Sequence, residues 1–195
     1  MELGEQRIRR VLYVFRTMAA HMGAHGGNSP DAALHLSGRI GAIGRAVLAP
    51  FFLDGIDLEG LLRDEFLLNA APAGQTTVSG VEIRLVPKAA ELISLLIHEL
   101  TTNSVKYGAL SQPAAKIWVN WRFASRADSR ILQFEWLESG VRLGAGAPLS
   151  PGFGTEVIER LIARELQGEG KMIFMPDGVQ CTVEIPLSNI QPRHG

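Results

Sequence analysis

The sequence predicts an α/β two-layer sandwich preceded by an α-helical hairpin, and three observations carry that expectation. Residues 1–52 hold two amphipathic helical patterns joined by a glycine-rich bend. Residues 92–111 hold one long periodic helix. Around that helix, short alternating runs read as strands both before and after it, as a mixed sheet covered by helices requires. The chain has 195 residues and 46% apolar content, enough for one large or two small domains with a real core.

The first helix, residues 5–22, opens with Arg7, Arg9 and Arg10 and continues with a broad apolar side of Val11, Leu12, Val14, Phe15, Met18 and Ala19. Gly23, Gly26, Gly27 and Asn28 end it. Ser29, Pro30 and Asp31 start the second helix with a cap, a proline at the first helical position and an early acid. Apolar Ala33, Leu36, Ile40, Ile43 and Val47 follow, and Pro50 stops the run. A hairpin apolar on both sides cannot bury itself, so a second copy completing a four-helix bundle is expected. Residues 54–71 read as a connector with a short helix capped near Asp57, carrying Leu58, Leu61, Leu62 and Phe66. Residues 76–86 give one or two strands broken at Gly80, and Pro87 opens the central helix.

Beyond the central helix, KIWVNWRF at 116–123 and ILQFEW at 131–136 alternate as antiparallel strands around a polar turn at 127–129. Residues 140–151 are rich in Gly, Ala and Pro and have no period, so a mobile loop is expected. Residues 155–166 read as a helix, and 173–175 with 179–185 as a closing hairpin turned at Pro176, Asp177 and Gly178. The expected division is a helical module at 1–52 and an α/β domain at 53–195.

Composition narrows the function. A net charge of −1 gives no electrostatic footprint for nucleic acid or an anionic membrane. The one cysteine, Cys181, excludes an intramolecular disulfide and fits a reducing compartment; its alternating surroundings suit a small core residue. No apolar run reaches the roughly 20 residues of a membrane span, and no signal-peptide core opens the chain. A cytoplasmic protein is expected.

The chemistry concentrates in the central helix, ELISLLIHELTTNSVKYGALS from Glu91. Leu92, Leu95, Leu96 and Leu100 commit one side to a core. Glu99, Asn103 and Lys106 share a stripe at ~100° per residue. A carboxylate, an amide and an ammonium one turn apart suit a hydrated magnesium ion and the phosphates it neutralises, and they equally suit a solvated helix face.

The wording HELTTNSVKYGALS resembles the nucleotide-binding N-box of the GHKL ATPases, in the form used by HWE-type sensor histidine kinases. FEWLESG at 134–140 looks like that family's Trp-x-Glu signature, carried by Trp136 and Glu138, and GFGT at 152–155 resembles its second glycine box. The three motifs stand in the family's order. The resemblance implies a GHKL-type ATP-binding domain behind a dimerisation and phosphotransfer hairpin, with ATP and Mg2+ as cofactors. It places Asn103 on the magnesium, and Glu99 on the attacking group or a metal-bound water. Lys106 and Tyr107 come beside the phosphates, and Glu138 on the adenine amino group. Gly140 matches the first glycine box, although Arg142 stands where a small residue is commoner. Gly152, Phe153, Gly154 and Thr155 match the second, whose wording alone is that of an ordinary loop-to-helix cap. His98 belongs to the signature, with a hydrogen-bonding role ahead of direct chemistry, and Trp136 reads as core or pocket wall.

One departure matters. The family opens its hairpin with the histidine that accepts the phosphoryl group, and the matching run here is Gln6, Arg7, Ile8, Arg9 and Arg10. An amide nitrogen has no lone pair to offer, so autophosphorylation at the usual site is expected to be absent. His21, His25 and His35 read as surface histidines rather than replacement acceptors. Two functions follow from the resemblance. One is an ATP-binding histidine-kinase-like protein of two-component signalling with a degenerate acceptor, forming homodimers or acting on another histidine kinase. The other is a pseudokinase or phosphatase-like module that docks a response-regulator receiver domain, with Gln6 orienting water. A GHKL kinase acting on Ser or Thr is a more remote third. The two modules leave no length for a sensory domain, so the input is expected from another protein or from a longer form of this one.

Overall fold

The computed structural model describes residues 55–72, 74–126, 129–142 and 157–192. The hairpin expected at 1–52, with Gln6, His21, His25 and His35, and the glycine box at 152–155 lie outside the described residues, as does most of the expected loop at 140–151.

The described chain opens with a short strand β1 (Ile56–Asp57) and helix α1 (Leu58–Leu68). Asp57 caps α1, its carboxylate accepting from the Gly60 amide at 2.8 Å, which satisfies one of the orphan donors of the first turn. Strand β2 (Thr76–Gly80) ends where expected, at Gly80. The indole of Trp121 lies over that glycine, since a Cβ there would stand 2.1 Å from the ring, and its Nε1–H donates to the Val81 carbonyl at 2.7 Å. The run VEIRL contributes only β3 (Arg84–Leu85), which pairs antiparallel with β1 in a separate ladder, Ile56 opposite Leu85. The expectation of a single sheet is corrected to a mixed sheet plus this small one.

Helix α2 (Pro87–Tyr107) starts at a proline in the first turn, where no amide is needed. It ends at Gly108, whose amide donates to the Ser104 carbonyl, and a single 3-10 turn follows at Ala109–Ser111. Strands β4 (Lys116–Arg126) and β5 (Ser129–Ser139) run longer than their alternation suggested and pair antiparallel along their whole length. A π-helical turn at Val157–Ile162 leads into α3 (Ala163–Leu166), where an ordinary helix was expected. Val157, Ile158, Leu161 and Ile162 of that turn all face the core. Strands β6 (Glu169–Met175) and β7 (Gly178–Pro186) close the fold as a hairpin.

The main sheet has the order β2-β4-β5-β7-β6, with β2 parallel to β4 and every other pair antiparallel. Its inner face is a set of registered apolar rows. Trp121, Phe134 and Val183 form one row, and Val119, Trp136 and Cys181 the next. Leu92, Leu95, Leu96 and Leu100 of α2 are buried as the periodicity required, and Phe66 of α1 meets Trp136 with ring centroids 5.6 Å apart. Along β5 the inward positions are Leu132, Phe134, Trp136 and then Glu138, opposite Ile117. A carboxylate thus occupies a slot that the alternation reserves for an apolar side chain.

Candidate functional site

That carboxylate organises the site. Glu138 is 2% exposed, and burial raises its pKa above the ordinary carboxylate value. Hydrogen bonds from the Ala109 amide, the Trp136 indole and the Ser104 hydroxyl act in the opposite direction, favouring the ionised form. The Ala109 N–H donates to Oε2 at 2.6 Å, and Trp136 Nε1–H donates to Oε1 at 3.0 Å. Gly108 permits this approach: a Cβ at that position would stand 2.1 Å from Oε2. The end of β5 and the end of α2 are therefore locked together at Glu138.

The predicted residues of α2 divide along its length. Asn103 and Tyr107 are exposed on the last two turns, and Lys106 is half-buried. Ser104, between them on the inner side, is fully buried and accepts from the Leu110 amide at 3.1 Å. Glu99 and His98 are buried further back. His98 Nδ1 lies 2.7 Å from Glu65 Oε1 on α1; a carboxylate only accepts, so the imidazole proton is assigned to Nδ1. Its Nε2 is buried without a hydrogen-bond partner among the described residues.

Gly140 has φ +78, the left-handed region that a glycine adopts without strain. Beyond it the backbone is tied down before the glycine-rich stretch. Val141 donates to the Asp177 carbonyl at 2.8 Å, and Arg142 exchanges backbone bonds with the Gln112 side chain at 2.9 and 3.1 Å. The turn after α2 is held from beneath by Gln75, whose buried amide nitrogen reaches the carbonyls of Gln112, Ala115 and Ala109 at 2.7, 3.2 and 3.4 Å.

Glu65, Gln75, Ser104 and Gln112 are the supporting residues that sequence reasoning missed. Glu65 carries a signal in retrospect, as an acid on the same side of its helix as Leu58, Leu62 and Phe66. The others are ordinary polar residues near turns.

The donor set suits an adenine nucleotide with a hydrated cation. A buried, fixed acceptor stands at the end of α2, and an exposed amide oxygen, a cation and a phenol lie within its last two turns. Among the described residues no cluster of three or more His, Cys, Asp or Glu side chains could cage a metal. A magnesium ion held here would share phosphate oxygens and water rather than sit in an all-protein site. No helix among the described residues is long and apolar enough to cross a membrane.

Comparison with known proteins gives a consistent result. The chain is 31% identical over 160 residues to blue-light-activated histidine kinase 1 of Erythrobacter litoralis, covering 78% of this chain and 43% of that one. It is 27% identical over 169 residues to a blue-light-activated histidine kinase of Rhizobium johnstonii, covering 82% and 46%. The chain spans less than half the length of these relatives. Among solved structures, the histidine kinase domain of the Erythrobacter litoralis EL346 blue-light activated histidine kinase aligns with a TM-score of 0.61 at 18% identity, covering 92% of this chain and 85% of that one. The catalytic domain of the histidine kinase ThkA aligns at 0.50 and 15%, covering 67% and 92%. No protein-family model matches the chain.

Proposed function

We propose, from the premise that this chain is a homologue of the histidine kinases and carries the fold of their catalytic domain, that it binds ATP with magnesium at the junction of α2 and β5 in two-component signalling of the HWE type. The observation that carries this reading is Glu138, a buried carboxylate fixed beside the exposed end of α2. The adenine amino group would donate to Glu138. Asn103 would supply an oxygen to the magnesium, with Glu99 toward its water shell. Lys106 and Tyr107 would face the phosphates, where a cation and a hydroxyl suit developing phosphoryl charge. Gly140 and the stretch Gly152, Phe153, Gly154 and Thr155 would let backbone approach the nucleotide, and His98, paired with Glu65, would hold the helix that carries Glu99. Bound ATP and magnesium supply the electrophilic phosphoryl group and its charge neutralisation.

The test of binding is calorimetry with magnesium and ATP. Wild type should bind, and Asn103→Ala should lose the magnesium-dependent part of the affinity. Equal binding by the two proteins would remove Asn103 from the site.

The acceptor is a separate part of the reading. Gln6 stands where the family has histidine, so wild type given labelled ATP should acquire no acid-labile, base-stable phosphate, while a histidine-bearing partner kinase should. Phosphohistidine in the wild type at His21, His25 or His35 would mean that the acceptor has moved. The apolar faces of the 1–52 sequence support a homodimer. Scattering before and after removal of those residues reads this directly, with a drop from dimer to monomer mass expected.

A further inference from the structure

We propose that Trp136 is a positioning residue that gives the site its selectivity for adenine, by fixing the direction in which Glu138 accepts; this rests on the reading of Glu138 as the base-recognising acid. Residues two apart on a strand point to the same face, so Trp136 and Glu138 both project from β5 toward the helices. The indole N–H donates to Oε1 at 3.0 Å, and an indole nitrogen can only donate. The donor cannot swing away. Trp136 is fully buried, and Phe66 packs against its ring.

The opposite oxygen is held as firmly. Oε2 accepts from the Ala109 amide at 2.6 Å, and a Cβ on Gly108 would stand 2.1 Å from it, so the carboxylate fills the space that the glycine leaves. A carboxylate offers about four lone-pair sites. The indole and the Ala109 amide engage one on each oxygen, which leaves the remaining sites to face an external donor in set directions. An acceptor of fixed direction rewards an exocyclic amino group and repels a carbonyl in the same place. A phenyl ring at 136 would keep an aromatic side chain in the core, at a smaller volume, but would leave the carboxylate free to turn about its last torsion. The N–H, rather than the bulk of the ring, is therefore the part of Trp136 that acts on selectivity.

The experiment titrates the full chain with MgATP and with MgITP, whose base carries an oxo group where adenine carries the amino group. Wild type should bind ATP at least about tenfold more tightly than ITP, the scale of one hydrogen bond to a charged group. Trp136→Phe keeps an aromatic ring and removes the donor, and it should weaken ATP binding until the ATP-to-ITP ratio is below about threefold, with ITP binding unchanged or tighter. Gly108→Ala pushes on the carboxylate, and on the Ser104 backbone, from the other side without touching the tryptophan, and the folded variant should collapse the ratio in the same way. It provides the second reading if Trp136→Phe does not fold. Folded variants that lose both nucleotides equally, or that keep the wild-type ratio, overturn the positioning role while leaving Glu138 as the acceptor. A wild type that binds the two nucleotides equally, or neither, overturns the reading of Glu138 itself and this proposal with it.

Discussion

The two ends of α2 belong to one helix and differ in burial. From Ala89 to Thr101 every residue is buried, including Glu91, Ser94, His98 and Glu99. From Thr102 to Tyr107 only Ser104 is buried, and Tyr107 is 43% exposed. The helix packs against α1, β3 and the Val157–Ile162 turn, and its far end lies beside β5. In the first stretch His98 meets Glu65 on α1 inside the protein, while Asn103 and Tyr107 on the second are open to solvent. A run of polar letters within one motif is not one functional surface.

The sharpest way to break this contrast is to cut each end. Leu96→Ala in the buried half should cost about 2–5 kcal/mol, because the side chain is 1% exposed and its removal leaves a cavity. Val105→Ala, at 41% exposure, should stay within about 0.5 kcal/mol. Denaturant midpoints read both, and similar losses at the two sites would erase the distinction.

His98→Ala comes next in size. It takes the imidazole from a buried carboxylate, for an expected loss of about 1–3 kcal/mol. His98→Gln, which restores a donor, should recover part of it. A neutral His98→Ala in thermal unfolding would mean that the α1–α2 pair is dispensable.

The pH profile sharpens the comparison at the junction. Burial raises the folded-state pKa of Glu138, so the folded chain holds that proton more tightly than the unfolded chain does. The stability this group contributes is fully present below the ordinary carboxylate pKa and is lost as pH climbs through the raised value. Glu138→Gln should remove that decline from a melting-temperature series across the weakly acidic range. Parallel wild-type and variant curves would show that the carboxylate is not perturbed by its surroundings.

As small a stability effect as that of Val105→Ala is expected of Asn103→Ala, within about 0.5 kcal/mol, since Asn103 is exposed. A folded, equally stable Asn103→Ala that has lost magnesium-dependent ATP binding is the cleanest statement of what the exposed end is for. A large drop in its melting temperature would instead return Asn103 to the structural half.

Local signals carried much of the fold. The Asp57 cap, Pro87 at the head of α2, and the alternation of β4, β5 and β7 each depend on neighbours a few residues away, and each element appears where those signals put it. The run VEIRL alternates like a sheet strand, yet it lies outside the main sheet, where Arg84 and Leu85 pair with β1 instead. The π-helical turn at Val157–Ile162 was hidden because its inward residues, at 157, 158, 161 and 162, also satisfy an ordinary helical spacing. Helical and strand periods report which face is buried, not what buries it.

The sequence by itself determined α1, α2 and the strands of the main sheet, the commitment of one side of α2 to a core, and the histidine kinase resemblance, since these rest on spacing and wording along the chain. Only the tertiary structure decided that Glu65 meets His98 across 33 positions, that Trp136 and Ala109 grip opposite oxygens of Glu138, and that Gly108 must lack a side chain. Hydrogen bonding and steric exclusion act over about 3 Å in space. Residues that meet at that range from different elements leave no periodic trace in the sequence, so their pairing becomes visible only when the layers close.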